Sequence, residues 1–173
     1  MIFMHDTRDK RGKHDNVTGG LTAMGHEIVR SKLYAGDITL LHDHSTCIDL
    51  KQSLNEVESN LVQSHERFRR ECERARAAGI RLVILVEDES IYGIDEVAKW
   101  ENPRYKRWMR LNEAHKAGRM LHVKIPARPP IRGDRLHKAM VTMTERYGVE
   151  WQFSRHDEVA KRVCEILGVD TRG

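Results

Sequence analysis

Behind Gly79, the run Leu82-Val83-Ile84-Leu85-Val86 is unbroken apolar sequence, closed by Glu87. A strand with one wet face alternates polar and apolar residues, so an unbroken run predicts a strand buried on both faces. Burial on both faces demands a layer of helices on each side of the sheet, and the flanking sequence supplies them. Ser53 and Glu56 form a capping box, and Val57, Leu61, Val62, His65, Phe68 and Cys72 follow at helical spacing. They predict one long helix ending at Ala77-Ala78, with Gly79 as its stop. Upstream, Ile2 to Asp6 reads as a strand and the polar stretch to about Asn16 as a loop. Leu21 to Met24 reads as a brief helix halted by Gly25, and His26 to Arg30 as a second strand. Asp37 to His42 and Thr46 to Lys51 read as a hairpin turning through Asp43-His44-Ser45. Downstream, helices are expected at Tyr105 to Ala117, Gly133 to Tyr147 and Asp157 to Leu167, and strands at Leu121 to Val123 and Val149 to Phe153. An exposed Pro/Arg loop is expected from Pro126 to Pro130. The expectation is one α/β domain over residues 1–173, a mixed central β-sheet flanked by helices, with its site at one sheet edge.

A chain of 173 residues with 39% hydrophobic and 32% charged residues can bury one core, which excludes a disordered or collagen-like chain. No apolar stretch reaches membrane-span length and Met1-Ile2-Phe3-Met4 runs into His5-Asp6, so no membrane and a cytoplasmic location are expected. Cys47, Cys72 and Cys164 lie too far apart for a zinc knuckle or redox pair and are expected as buried or half-buried thiols. His42-Asp43-His44 has no companion His/Cys pair and reads as a solvated turn. Gly19-Gly20 lacks a following Gly-Lys-Ser/Thr, so no nucleotide cofactor is expected. Net charge is only +4, yet residues 99–138 carry +9 against −5 for the remainder. Such asymmetry suits a polyanion, and Trp100, Tyr105 and Trp108 among the arginines suit base stacking; the alternative is a solvated basic surface with its aromatics packed inward.

The acids are patterned as well. Asp6 ends the first strand with Asp9 just beyond it, Asp37 follows Gly36 at the mouth of the hairpin, and Asp49 and Lys51 share a face of its second arm. Two carboxylates and an amine converging there would hold a hard divalent cation and leave sites for water and a phosphate; the lysine could orient or deprotonate water and neutralise growing charge.

Asp6-Thr7-Arg8-Asp9, Gly36-Asp37, Asp49-Leu50-Lys51 and the strand Leu82 to Glu87 occur in the order and spacing of the XPF-type structure-specific nuclease domain of the PD-(D/E)XK superfamily, which the chain therefore resembles. The segment Trp100-Glu101-Asn102-Pro103 and the final helices look like those of small stand-alone bacterial or phage members. The sequence departs from the family pattern with Asp49 for Glu, Leu50 for Arg, Asp9 for a second Glu, and Asn55 for an acid; Leu50 is expected on the outer face of its strand. Within these 173 residues no tandem helix-hairpin-helix module is expected.

The resemblance implies a restriction-endonuclease-like fold and a Mg²⁺- or Mn²⁺-dependent endonuclease cutting branched or flap-like DNA in recombination, repair or phage DNA processing. It also implies a homodimer. Catalytic residues would be Lys51, Asp49, Asp37, Asp6 and Asp9, with Asp37, Asp49 and Asp9 as metal ligands. Nucleic-acid contacts are expected from Arg8, Arg67, Arg104, Lys106, Arg107 and Arg110, with Gln63 and Arg67 facing the site. Glu87 is more simply a cap or salt-bridge partner. The alternative is a catalytically silent DNA-binding module of the same fold, and RNA is not separated from DNA by the sequence.

Overall fold

The computed structural model describes residues 1–10, 12–120 and 122–170. Strands β1 (Ile2–Asp6), β2 (Glu27–Ser31), β3 (Ile38–Leu40), β4 (Thr46–Lys51), β5 (Arg81–Glu87) and β6 (Glu150–Ser154) form one sheet in the order β2-β1-β3-β4-β5-β6. The β1–β3 and β3–β4 pairs are antiparallel and the others parallel, so the sheet is mixed. Alternation along β5 decides the two cores. Leu82, Ile84 and Val86 point into the layer made by α2 (Leu54–Val62), α3 (His65–Ala77) and α5 (Gly133–Tyr147). Val83 and Leu85 point the other way, against α1 (Asp15–Ala23) and α6 (Val159–Ile166). The unbroken apolar run thus serves two layers at once, as its composition predicts. Cys47, Cys72 and Cys164 are buried free thiols, and burial pushes that of Cys72 up to about 12.

Several elements differ from expectation. The single long helix is two: the N–H groups of Gln63 and Ser64 both donate to the Ser59 carbonyl, ending α2, and the Ser64 carbonyl starts α3 by accepting from Arg67 and Phe68. Apolar spacing continues across this break, so periodicity misses it. Helix α1 starts at Asp15, inside the expected loop, and runs through Gly19-Gly20 despite their poor propensity. Packing decides it, because a Cβ on Gly20 would lie 2.5 Å from that of Ala160 on α6. His122 and Val123 form a turn, with Val123 N–H donating to Met120, where a strand was expected; Leu121 lies outside the described residues. Among the described residues no strand pairs with His122 or Val123, which leaves an extended form there without its hydrogen bonds. Leu50 is 1% exposed and packs in the α1/α6 layer, so its side of β4 is no outer face. The β3–β4 hairpin occupies the centre of the sheet, and its acids sit at one end of the central strands instead of at a lateral edge. No described helix is long and apolar enough to cross a membrane.

Candidate active site

At that end of the strands lies a cleft lined by Asp6, Arg8, Asp9, Lys13, Gly36, Asp37, Asp49, Lys51 and Glu56, and by Asn60, Arg67, Phe68, Glu71 and Arg74 from α2 and α3. Backbone pairing builds its floor. Gly36 takes φ +69°, a left-handed turn that a side chain would strain. This turn lets Asp37 N–H donate to Ile48 O at 2.7 Å, while Asp37 O accepts from Asp6 N–H at 2.8 Å. The strand ends carrying Asp6, Asp37 and Asp49 are thereby stitched side by side. Asp37 Oδ2 then accepts from Leu50 N–H at 2.8 Å, fixing the carboxylate over β4.

Asp49 and Lys51 are both buried on the same side of β4, with Lys51 Nζ donating to Asp49 Oδ1 at 2.5 Å. The other oxygen, Asp49 Oδ2, is buried with no hydrogen-bond partner among the described residues. A buried anionic oxygen without a donor costs free energy unless a cation or water meets it. Burial, and next the charge of Asp49, raise the Asp37 carboxyl well above its ordinary value. For Lys51, burial opposes the charged form, but the charges of Asp49 and Asp37 outweigh it and raise the ammonium above its ordinary value. Held on Asp49, the Lys51 ammonium is a positive charge suited to orienting and neutralising a phosphate.

Asp9 belongs to the same group. One oxygen each of Asp9 and Asp37 and one ring nitrogen of His14 lie within 4.8 Å of one another. Burial pushes the Asp9 carboxyl up, but the His5 hydrogen bond at 3.2 Å and the charges of His14, Lys13 and His5 bring it below the ordinary value. His14 is driven down to about 4, first by burial and then by Lys13, so its imidazole is neutral near pH 7 with a lone pair free to bind. The donor set of carboxylate oxygens with an orphaned oxygen beside them fits a divalent cation; Asp37, Asp49 and Asp9 would hold it.

Asp6 is placed differently. Its carboxylate accepts from Arg8 N–H at 2.7 Å, from Arg8 Nε at 2.9 and 3.1 Å, from Arg8 Nη2, and from Leu33 N–H at 3.3 Å. Both oxygens are occupied, so Asp6 shapes the loop and is not offered to a cation. Arg30 Nη2 donates to the carbonyls of Asp6 at 2.8 Å and Asp9 at 2.9 Å, holding the same loop from outside. Burial would raise the Asp6 carboxyl, but hydrogen bonds from the Arg8 side chain and backbone and the charge of Arg8 outweigh it and hold it below the ordinary value. A depressed carboxyl stabilises the fold above its unfolded pKa and ceases to do so as pH falls through the folded one. Asp6→Asn is therefore expected to cost about 2 kcal/mol at pH 7, with the deficit vanishing in acid below the ordinary Asp range of about 4. Urea denaturation of both proteins at pH 7 and pH 2.5 checks this, and an equal deficit at both would refute the pairing.

Four positions escape the sequence reading. Glu71 accepts from Gly36 N–H at 3.0 Å and faces the cleft one helical turn beyond Arg67, a spacing that could have exposed it. Burial, then Asp49, raise its carboxyl. Glu56, next to Asn55, lines the cleft, accepts from Gln52 N–H at 3.0 Å and pairs with Lys13 at 3.0 Å. Lys13 and His14 lie in a stretch whose polar character reads only as loop. Gln63 ends α2 and is not among the cleft residues, whereas Arg67 is. Glu87 accepts from Asn16 at 3.0 Å and bonds His156 at 2.6 Å, away from the cleft, as a salt-bridge partner would.

The basic segment stands beside the site. Helix α4 (Pro103–Lys116) has no buried residue, and Arg104, Lys106, Arg107 and Arg110 are all exposed on it. Buried Glu58 of α2 ties the start of α4 to the chain just before α5: Oε2 accepts from Asn102 at 3.2 Å and Oε1 accepts from Ile131 N–H at 3.0 Å. Arg104 donates to Ser59 Oγ at 3.2 Å, next to cleft residue Asn60. Of the aromatics, Trp100 packs against the core, while Trp108 donates to Pro126 O at 2.9 Å and stacks on Tyr105 with centroids 6.2 Å apart. They hold the Pro/Arg loop against α4. Arg8 is committed to Asp6 and Leu33 O, although half of its side chain is exposed.

A mixed sheet whose central hairpin gathers two carboxylates and a lysine beneath a helical wall defines an XPF-type nuclease domain. The chain belongs to the ERCC4 domain family, whose model matches residues 6–166. Among solved structures, XPF from Aeropyrum pernix superposes with a TM-score of 0.60 at 17% identity, covering 100% of this chain and 63% of that one. XPF from Aeropyrum pernix in complex with DNA gives 0.57 at 16% identity, covering 96% of this chain and 63% of that one. This chain thus spans less than two thirds of the length of those XPF chains. No curated protein matches the sequence.

Proposed function

We propose that this protein is a Mg²⁺- or Mn²⁺-dependent DNA endonuclease acting on branched or flap-like DNA in recombination, repair or phage DNA processing. The observation that carries this reading is the buried Asp49, with Lys51 on one oxygen and the other oxygen unpartnered beside Asp37. When bound, a divalent ion supplies neutralisation of the phosphate and a more acidic coordinated water. The chain does the rest. Asp37 and Asp49 hold their oxygens in place through strand pairing, Lys51 presents a fixed ammonium to the developing negative charge, and Arg67 and Arg74 line the wall where phosphates would approach. Exposed cations on α4 extend that approach path beyond the cleft. The DNA-bound structural neighbour supports DNA as the partner. Two copies acting together, as the family resemblance implies, are part of the same proposal.

The experiment is incubation with labelled flap, fork, four-way, duplex and single-stranded DNA and with RNA, in Mg²⁺, Mn²⁺ or EDTA, beside Asp49→Ala. Metal-dependent cutting that disappears in the variant is expected. Tight binding without cutting would replace the nuclease with a silent DNA-binding module.

The clamp on the basic segment gives a separate expectation. Glu58→Ala leaves Ile131 N–H without its acceptor and Asn102 with only the Ile131 carbonyl at 2.7 Å, costing about 2–3 kcal/mol and loosening the start of α4. DNA affinity should fall more than about fivefold, with a shallower salt dependence because fewer phosphates are neutralised. Fluorescence anisotropy across a salt series reads both, and an unchanged slope would show that α4 takes no part.

A further inference from the structure

We infer that His14 is itself a metal ligand, so that the cleft takes first-row transition cations such as Mn²⁺ in preference to Mg²⁺. This rests on the proposed metal-dependent site and names the ion that the site selects.

His14 caps the start of α1, where its carbonyl accepts from Val17 and Thr18 N–H at 3.1 and 3.0 Å. The backbone is thus fixed and the imidazole is presented inward, its side chain 0% exposed. Neither ring nitrogen has a hydrogen-bond partner among the described residues. Its nearest acid contact, Nε2 to Asp9 Oδ2 at 3.6 Å, is too long for a hydrogen bond. A core histidine ordinarily has at least one nitrogen satisfied, since each orphaned polar group costs about 1–3 kcal/mol. Here the orphaned ring instead lies with one nitrogen within 4.8 Å of an oxygen of Asp9 and an oxygen of Asp37. Donors on opposite sides of one ion at metal–ligand distances of about 2.0–2.3 Å are about 4–4.6 Å apart, so the three groups are close to sharing one cation.

His5 completes the arrangement from behind. Its Nε2 meets Asp9 Oδ2 at 3.2 Å, the kind of outer contact that orients a ligating carboxylate. Two carboxylates and one imidazole form a mixed oxygen–nitrogen set. Mg²⁺ favours oxygen and keeps much of its water, whereas transition ions accept imidazole readily. Asp37 is common to this set and to the Asp49–Lys51 pair, so the ion would sit where Asp37 links loop and hairpin.

The test uses the whole protein without DNA. Mn²⁺ is titrated and followed by electron paramagnetic resonance, and pulsed measurement on the bound ion reads nitrogen coupling directly. Isothermal titration gives affinities for Mn²⁺ and Mg²⁺. Nitrogen coupling is expected in the wild type and absent in His14→Gln, which should weaken Mn²⁺ at least about tenfold and Mg²⁺ much less. Because the coupling is read on the wild type, a misfolded variant does not decide the matter. Bound Mn²⁺ without nitrogen coupling, or no bound Mn²⁺ at all, overturns the inference. Nitrogen coupling in a protein that cuts no DNA would support it while removing the nuclease reading, and cutting without nitrogen coupling would do the reverse.

Discussion

Asp37→Asn is expected to raise the thermal midpoint of the metal-free protein while reducing metal-dependent cleavage more than about 100-fold. Both effects come from one charge. Burial, and then the charge of Asp49, hold the Asp37 carboxyl well above its ordinary value, so folding disfavours its charged form. The sign follows: a carboxyl raised on folding stabilises the fold below its unfolded pKa and loses that contribution as pH rises through the folded one. At neutral pH the site works against the fold. Asparagine removes the repelling charge, and its side-chain oxygen can still accept from Leu50 N–H, which now donates to Asp37 Oδ2 at 2.8 Å. Melting curves in EDTA between pH 5 and 8 should show the wild-type midpoint falling relative to that of the variant as pH rises. A variant no more stable than the wild type at pH 8 would mean that Asp37 carries no electrostatic cost. Added Mn²⁺ should stabilise only the wild type strongly, because binding to the folded state shifts the equilibrium by mass action.

Gly36→Ala is expected to damage both the fold and the site. At φ +69° any Cβ is strained, and here it would also lie 2.8 Å from Ile48 O and 3.1 Å from Ile48 C, both backbone atoms of a central strand. The turn cannot move without dislodging the Asp37 N–H to Ile48 O bond and the carboxylate behind it. We expect a loss of about 3–4 kcal/mol, a fall in midpoint of about 6–16 °C, and loss of metal binding. Gly25→Ala is the control: at φ +80° it has the same left-handed backbone but nothing within 4 Å of a Cβ. It should cost only about 1 kcal/mol. Equal losses in the two variants would show that backbone conformation alone matters and that the close approach to β4 does not.

The sequence reveals the hairpin, β5 and the Gly36-Asp37 and Asp49-Leu50-Lys51 segments because each is local. Alternation, an unbroken apolar run, and two residues on one face need no knowledge of distant chain. Glu71 and His14 are not visible in this way. Glu71 lies on α3, which begins beyond the break at Gln63-Ser64, and nothing in the apolar spacing marks that break; only its turn from Arg67 hints at Glu71. His14 looks like loop sequence until α1 is seen to begin beside it, with Gly20 pressed against Ala160 of α6. Asp6 shows the converse: its motif position predicts a site acid, while Arg8 and Leu33 occupy both of its oxygens.

The amino-acid order by itself determined the sheet-and-helix alternation, the basic segment and the acid–lysine pair, since these follow from periodicity, charge and strand geometry. Only the tertiary structure decided which oxygens are left open, that Asp49 and Asp37 raise the Lys51 ammonium, and that a histidine stands among the acids. Those properties depend on burial and on contacts between residues far apart in the chain, such as Asp37 with Asp49 and Gly36 with Glu71. Charge and hydrogen-bond supply in a buried cleft are set by what surrounds each group, and no local pattern encodes its surroundings.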